Sequence, residues 1–426
     1  MERSKIVAVI LLSSLMLIPA KAFSNGYTTP WVGGMLSGPG VANGAGIYWD
    51  PGSIGEIKGN SLFVTIEPVY EYVSYQKYGV DENGVPFNRV SFHQWAPSPT
   101  LAATFELPAN FGFGIGIYAP FARFADYPSY GAQRFNGVNV TFMTVNATPV
   151  ISYRILPSLS IGAGVSYVEG LIDVQESTTI NPTDPDDISP INEAKVHLKN
   201  DMGSTYGWTV GLYYKPLYNL SVGLSYISRT FYTLDGKADI TLSPQVSSLL
   251  GVSTITAKSK MIFSMPQMIN LGVHFEPTPD WILDVTEQWI NWSIFDNIHV
   301  KIYDASAQGA LVNRELDMVT GFEDTVSSKI WTGYKGFKNW LFAGGVTYDP
   351  AGIPMNHIYA LNLEFNKMEL FAQVNYDVTP NTTIGLGYDH NFIQNDNVME
   401  SSVHPPANGL YKGEIEKITL FYNYKF

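Results

Sequence analysis

Few residues in this 426-residue chain are spaced for chemistry. Gly112, Gly114 and Gly116 imitate a phosphate loop, but they alternate along an extended stretch with no helix after them to hold an anion. The seven histidines (His93, His197, His274, His299, His357, His390 and His404) form no pair at metal-ligand spacing, and HExxH is absent. With no cysteine there is neither a thiolate nor a disulfide framework, so neither a metal nor a cofactor is expected. No GxSxG occurs, and nothing pairs a Ser, a His and an Asp. What remains is a cation–aromatic cluster, Arg123 and Arg134 among Phe121, Phe124, Tyr127, Tyr130 and Phe135. A guanidinium in apolar surroundings suits a carboxylate on a hydrophobic ligand. The same residues also suit a loop whose aromatics lie at a membrane interface.

The compartment is written at the start of the chain. Glu2, Arg3, Ser4 and Lys5 precede an apolar run from Ile6 to Ile18, then Pro19 and Ala20-Lys21-Ala22. This is the layout of a secretory signal peptide over residues 1–22, with cleavage before Phe23. The run is too short for a helix to span a bilayer core of about 30 Å. Without that segment the chain keeps 22 cations against 37 anions, a balance that argues against nucleic acid as a partner. Aromatics reach 14%, with 26 Tyr, and Gly reaches 38 residues, yet mean hydropathy is only +0.01. A helical membrane protein is excluded, whereas a transmembrane barrel averages out in this way because its strands alternate lipid-facing and lumen-facing residues.

Two-residue alternation fills the chain. Leu159, Ile161, Ala163, Val165 and Tyr167 enclose Ser160, Gly162, Gly164 and Ser166, and Leu220, Val222, Leu224 and Tyr226 enclose Ser221, Gly223 and Ser225. Fourteen strands are expected near 61–76, 98–107, 111–120, 138–155, 158–172, 203–216, 219–232, 260–276, 279–292, 325–336, 339–348, 366–378, 381–392 and 414–426. Every second connection is a tight turn, such as Leu107-Pro108-Ala109-Asn110 or Thr379-Pro380-Asn381; the others are long and rich in Asp, Asn, Pro and Ser. Sorting of loop lengths by side marks an up-and-down antiparallel barrel in the outer membrane, with its short turns in the periplasm. The last strand carries Ile418, Leu420, Tyr422, Tyr424 and Phe426 on one face. A terminal aromatic strand of this kind is what the barrel-assembly machinery reads in outer-membrane proteins. The chain is expected to act as a monomer surrounded by outer-membrane lipid.

Residues 23–60 do not alternate. Small residues recur through Gly33-Gly34 and Ala42-Asn43-Gly44-Ala45-Gly46, interspersed with Trp31, Ile47, Tyr48 and Trp49, which need burial. A plug inside the lumen answers both features, leaving 61–426 for the barrel. The stretch ends in Tyr48-Trp49-Asp50-Pro51-Gly52, which resembles the aromatic-Asn-Pro-Ala motif of the FadL family of outer-membrane fatty-acid and hydrocarbon transporters, with Asp for Asn and Gly for Ala. Leu107-Pro108 followed by Gly112 to Pro120 is similar to that family's third strand. Trp281-Ile282-Leu283-Asp284 through Ser293 resembles its ninth, and Tyr348-Asp349-Pro350-Ala351-Gly352-Ile353-Pro354 its Tyr-Asp-Pro loop.

The resemblance implies passive uptake of a hydrophobic small molecule, with long-chain fatty acids as the first expectation and alkanes or aromatic hydrocarbons as the alternative. It further implies a movable hatch and release sideways through the barrel wall. For that exit the expected residues are Gly112, Gly114, Gly116 and Pro120, on a strand that kinks inward and loses a neighbour; the glycines also suit simple room for the plug. Two readings of other classes stand beside it, a barrel lipase or protease and a general porin. A porin would need an open, charged lumen, whereas inward positions such as Gly112, Gly114, Gly162, Gly164, Gly385 and Gly387 are small.

Overall fold

A computed structural model describes residue 28 and residues 31–181, 183–295, 297–304 and 313–426; the expected signal peptide lies outside the described residues. With strands numbered in chain order, the wall is made of β1 (Ser61–Lys77), β2 (Val90–Glu106), β3 (Phe111–Tyr118), β5 (Asn139–Leu156), β6 (Leu159–Thr179), β8 (Gly203–Leu217), β9 (Leu220–Ile227), β12 (Met268–Thr278), β13 (Trp281–Ile290), β16 (Thr325–Tyr334), β17 (Trp340–Asp349), β18 (Lys367–Thr379), β19 (Thr382–Ile393) and β21 (Gly409–Lys425). Each pairs antiparallel with the next in this order, and β21 returns to β1 with Ser61 opposite Lys425. The result is the expected closed barrel of fourteen strands.

Its burial is inside out. Ile66, Leu101, Ile117, Ile161, Val210, Leu224, Leu386 and Leu420 are exposed on the outer face, while Thr65, Glu67, Thr148, Ser160, Asn270, Asp284, Lys329 and Asp389 are buried on the inner face. A soluble protein would place these sets the other way round; a hydrocarbon surround explains the arrangement. Aromatic pairs girdle both ends, Phe111–Tyr153, Trp281–Tyr334 and Trp340–Tyr376 near the short turns and Tyr70–Trp95, Tyr167–Tyr206 and Trp208–Tyr226 toward the long loops. Tyr206 and Tyr214 bound the band on β8 about 27 Å apart along the strand. A tilt of roughly 40° makes that about 20 Å of height, close to the ~25 Å apolar band of such barrels. The tight turns fall where expected, and Ala109, Asn110 and Asn339 take positive φ within them; Asn tolerates this conformation, which bulkier residues avoid.

Seven further strands lie wholly or partly outside the expected ones. They are β4 (Ala122–Asp126), β7 (Glu193–Asn200), β10 (Thr230–Leu242), β11 (Thr254–Met265), β14 (Asn297–Tyr303), β15 (Arg314–Val319) and β20 (Asp396–Val398). The upper part of β6 pairs with β7, and the sheet continues through β10, β11, β14 and β15 on the long-loop side. The expected strands 219–232 and 260–276 each break as they bend from the wall into this sheet, the second at Pro266. A short helix, α2 (Pro244–Leu250), caps the β10–β11 hairpin; α1 (Gly46–Trp49) lies in the amino-terminal segment.

Candidate functional site

Residues 31–57 pack against the inward faces of strands all around the barrel. Their backbone polar groups are satisfied partly by turns within the segment and partly by side chains of the wall. Gly33 N–H donates to Thr100 Oγ1 (3.0 Å), Ser221 and Tyr213 hydroxyls donate to Gly40 O (2.9 and 3.2 Å), Ser225 Oγ to Trp49 O (2.5 Å) and Ser152 Oγ to Gly52 O (3.0 Å). Several of the inward serines and threonines that break up the hydropathy pattern therefore serve as donors or acceptors for this segment. Glycines of the wall let it approach. A Cβ on Gly211 would lie 2.0 Å from Asp50 Oδ1, and one on Gly223 would lie 1.9 Å from Pro39 O. Within the segment Trp31 stacks on Trp49 at 4.9 Å, Trp49 Nε1 donates to Val32 O (2.7 Å), and Tyr48 meets Tyr118 edge-on at 5.3 Å.

The motif residues have separate tasks. Asp50 Oδ1 accepts from Gly52 N–H (2.8 Å) and caps the 3-10 turn Pro51–Glu56, an acceptor role that Asn fills equally well. Its Oδ2 is buried with no hydrogen-bond partner, and burial pushes the carboxyl well above its usual range. Gly52 is needed because a Cβ there would meet Tyr213 N at 2.9 Å and Ser160 O at 3.0 Å.

Above this segment lies a cavity of about 180 Å³. Trp31, Tyr48 and Trp49 form its aromatic side, and its charged side carries three ion pairs: Arg123–Glu71 (2.8 Å), Lys367–Asp349 (3.1 Å) and Lys417–Glu369 in direct contact. Glu67, Asp389 and Lys329 are buried beside the last pair, and the Thr419 hydroxyl lies 3.2 Å from Glu67 Oε1 and 3.5 Å from Asp389 Oδ2. The expectation that inward positions carry little charge is corrected here. The charges are brought together from β1, β4, β16, β17, β18, β19 and β21, with no more than two on any one strand.

The cavity reaches a discontinuity in the wall. β3 pairs with β2 only from Thr100↔Tyr118 to Glu106↔Gly112, and after Pro120 the chain resumes as β4, which pairs with β5 and not with β2. Upper β2 pairs with β1 alone, and Gln94 bridges the seam by donating to Phe124 O (2.8 Å) and Glu71 Oε2 (2.9 Å). Pro97, Pro99 and Pro120 at this level have no N–H to give to a ladder. Ala96, Pro97, Ser98, Pro120 and Ala122 all line the cavity. Gly112, Gly114 and Gly116, expected at the break, are instead paired on both sides. They make room: a Cβ on Gly114 or Gly116 would lie 3.1 Å from Ile47, and one on Gly112 would lie 3.0 Å from Ile54 O. Only Pro120 of that set lies at the break.

The cation–aromatic cluster is divided. Arg123 and Phe124 line the cavity. Phe121 is buried edge-on to Trp292 and Tyr127 edge-on to Phe92. Arg134 lies outside the cavity, held by Glu193 through Nε–Oε1 (3.0 Å) and Nη2–Oε2 (3.1 Å), with its guanidinium over Phe135 at 4.5 Å. Tyr130 is exposed at an outer depression that Arg134 also lines. The sequence reading missed Glu71, Glu369, Lys417 and Lys329; a charged residue at an alternating inward position was the available signal. Five histidines face a carboxylate, the shortest contact being His390 with Glu416 at 2.6 Å, and His274 faces the fully buried Asp284 at 3.1 Å. Among the described residues no group is arranged to hold a metal.

A closed barrel, apolar outside and polar within, is an outer-membrane β-barrel. The chain belongs to the outer membrane protein transport protein family (OMPP1/FadL/TodX), whose profile matches residues 19–426, a family of outer-membrane transporters for hydrophobic compounds. It is 22% identical over 368 residues to the long-chain fatty acid transport protein of Escherichia coli K12, spanning 78% of this chain and 77% of that protein. Identity is 21% over 314 residues, 69% and 68% of the two chains, with the protein of the same name from Escherichia coli O6:H1 strain CFT073. The fold is similar to a Pseudomonas aeruginosa FadL homologue (TM-score 0.82, 16% identity, 94% of this chain and 100% of that one). It is also similar to the Pseudomonas putida toluene transporter TodX (TM-score 0.70, 14% identity, 94% and 99%).

Proposed function

We propose that the protein carries hydrophobic small molecules passively across the outer membrane, that long-chain fatty acids are its first ligands, and that residues 31–57 are the hatch. The observation that carries this reading is the cavity bounded by Trp31 and Trp49 below and by the β2–β4 seam at the side. An aqueous pore offers nothing to a molecule that avoids water, whereas burial of each methylene is worth about 0.8 kcal/mol. At about 180 Å³ the resting cavity is smaller than the ~300–1,000 Å³ of ordinary ligand pockets. A whole acyl chain therefore needs the hatch to shift, and the seam gives it a way into the bilayer.

The test joins Ala96→Cys to Ala122→Cys across the seam with a short thiol cross-linker, in a chain that has no native cysteine. Oleate uptake by reconstituted protein should stop on cross-linking and return when a cleavable linker is cut. Uptake through a demonstrably linked seam would abandon the lateral route. A second reading, a monoaromatic hydrocarbon, draws on the same volume, since an apolar cavity of ~150 Å³ holds benzene and three aromatic side chains line one side here. Uptake of labelled toluene that oleate does not compete would favour it.

A further inference from the structure

The sheet above the membrane has two unlike faces. Inward it presents Ala194, Val196, Leu198, Leu234, Ala238, Ile240, Ala257 and Val300, all buried. Outward, three lysines stand directly opposite one another across three strands: Lys199 of β7 faces Lys237 of β10, and Lys237 faces Lys258 of β11. Like charges placed directly opposite destabilise a sheet, and a protein with 38 acidic and 25 basic residues has no general excess of lysine to explain the row. The neighbouring carboxylates are engaged elsewhere. Asp173 takes His197 Nε2 (2.9 Å), Asp235 takes Lys260 (3.4 Å), and Asp239 accepts from Thr256 Oγ1 (2.6 Å). Among the described residues no carboxylate lies within ion-pair distance of Lys199, Lys237 or Lys258.

Height fixes what the row can meet. Ile262, four residues before which Lys258 stands on the same face of β11, is exposed at the top of the lipid-facing band, as is Phe231 on β10. Four residues are about 13 Å of strand, so Lys258 stands up to that distance beyond Ile262. That is the layer in which phosphorylated sugars cap the outer leaflet. We infer that Lys199, Lys237 and Lys258 form a docking surface for the phosphate groups of a lipopolysaccharide molecule, whose acyl chains lie against Phe231 and Ile262 below. Lysine serves a phosphate as a point charge, and basic groups at an anionic membrane surface each add to affinity.

The experiment uses full-length protein in nanodiscs of neutral phospholipid, with bisphosphorylated hexa-acyl lipid A as the probe and native mass spectrometry as the readout. Wild type should retain lipid A, and the triple variant Lys199→Gln/Lys237→Gln/Lys258→Gln should bind it on the order of a hundredfold more weakly. Lys215→Gln, at the opposite end of β8, should bind as wild type does. In lipid-free detergent the triple variant should melt no lower than wild type, because the substitutions relieve repulsion. Three outcomes overturn the proposal: equal binding of lipid A by the triple variant, equal binding of dephosphorylated lipid A by wild type, or displacement of lipid A by millimolar inorganic phosphate, which would make the row a site for free anions.

Discussion

Lys329 ties residues 31–40 to the wall, and its removal should loosen that segment without unfolding the barrel. The residue is 1% exposed, and its ammonium donates to Met35 O (2.9 Å) and Ser37 O (2.5 Å) and lies 4.2 Å from the Trp31 ring centre. Among the described residues no carboxylate is within ion-pair distance of Nζ, so its direct partners belong to the amino-terminal segment. A hydrogen bond to a charged donor is worth about 1.5–3 kcal/mol, and a desolvated cation–π contact about 2. Against this stands a desolvation cost of several kcal/mol for the buried ammonium. In Lys329→Met that cost disappears, but two carbonyls are left buried without donors, at about 1–3 kcal/mol each.

The net loss of hold on residues 31–40 should be about 2–4 kcal/mol, or roughly 30- to 1,000-fold in the closed-to-open ratio. Amide exchange at Gly33, Gly34 and Ser37 should accelerate by that factor, while amides of β5 and β6 exchange as in wild type. Planar-bilayer recordings should show brief openings that wild type lacks. Lys329→Gln, which keeps a donor without the charge, should fall between the two. Unchanged exchange and unchanged conductance in Lys329→Met would refute the reasoning, since the segment would then be held by the serine and threonine donors alone.

Three further outcomes are expected. Gly211→Val places side-chain atoms where Asp50 now lies; the overpacking, about 1–3 kcal/mol, should expel the segment and raise conductance while the barrel keeps its heat-dependent gel mobility. Because burial raises the Asp50 carboxyl above its unfolded value, its contribution to stability is complete below the unfolded pKa near 3.9 and is lost as pH rises through the folded pKa. Asp50→Asn should flatten that decline in melting curves taken against pH, and an identical slope in both proteins would exclude Asp50 as its source. Arg123→Ala should weaken oleate binding about tenfold in equilibrium titrations and leave a neutral hydrocarbon unaffected, whereas Arg134→Ala, outside the cavity, should change neither.

The wall was legible because each strand reports its own two faces. The fourteen expected strands all occur, most within a few residues of their observed ends. The largest departures are β2, which begins at Val90 rather than near 98, β12, which begins at Met268 rather than near 260, and β6, which runs on to Thr179. Pro97 and Pro99 read as a break, but they lie where β2 has β1 as its only backbone neighbour, so a missing N–H costs little there. The outer sheet was hidden in a different way. Its outward positions are charged, so the stretch from Asp173 to Met202 averages to a polar loop. The alternation Ala194, Val196, Leu198 was present in β7 but shorter than the windows that betray a barrel strand.

The site was less legible because closure of the barrel, not local sequence, assembles it. Lys417 meets Glu369 and lies 3.8 Å from the Met35 sulfur, a residue 382 positions away. No spacing rule reaches across such a separation. Yet the same fact explains how an apolar route and a charged wall share one lumen. Glu67, Glu369, Asp389 and Lys417 sit on β1, β18, β19 and β21, which are consecutive in the wall apart from order. They compensate one another there, and a buried charge stripped of its partner would cost far more than the pair. On the proposed reading, an amphiphile in the cavity has one favourable orientation, its carboxylate toward the ion pairs and its tail toward Trp31, Trp49 and the seam. Movement of the hatch then needs to displace only the tail, and the side of the cavity without a continuous ladder is the side on which the tail already lies.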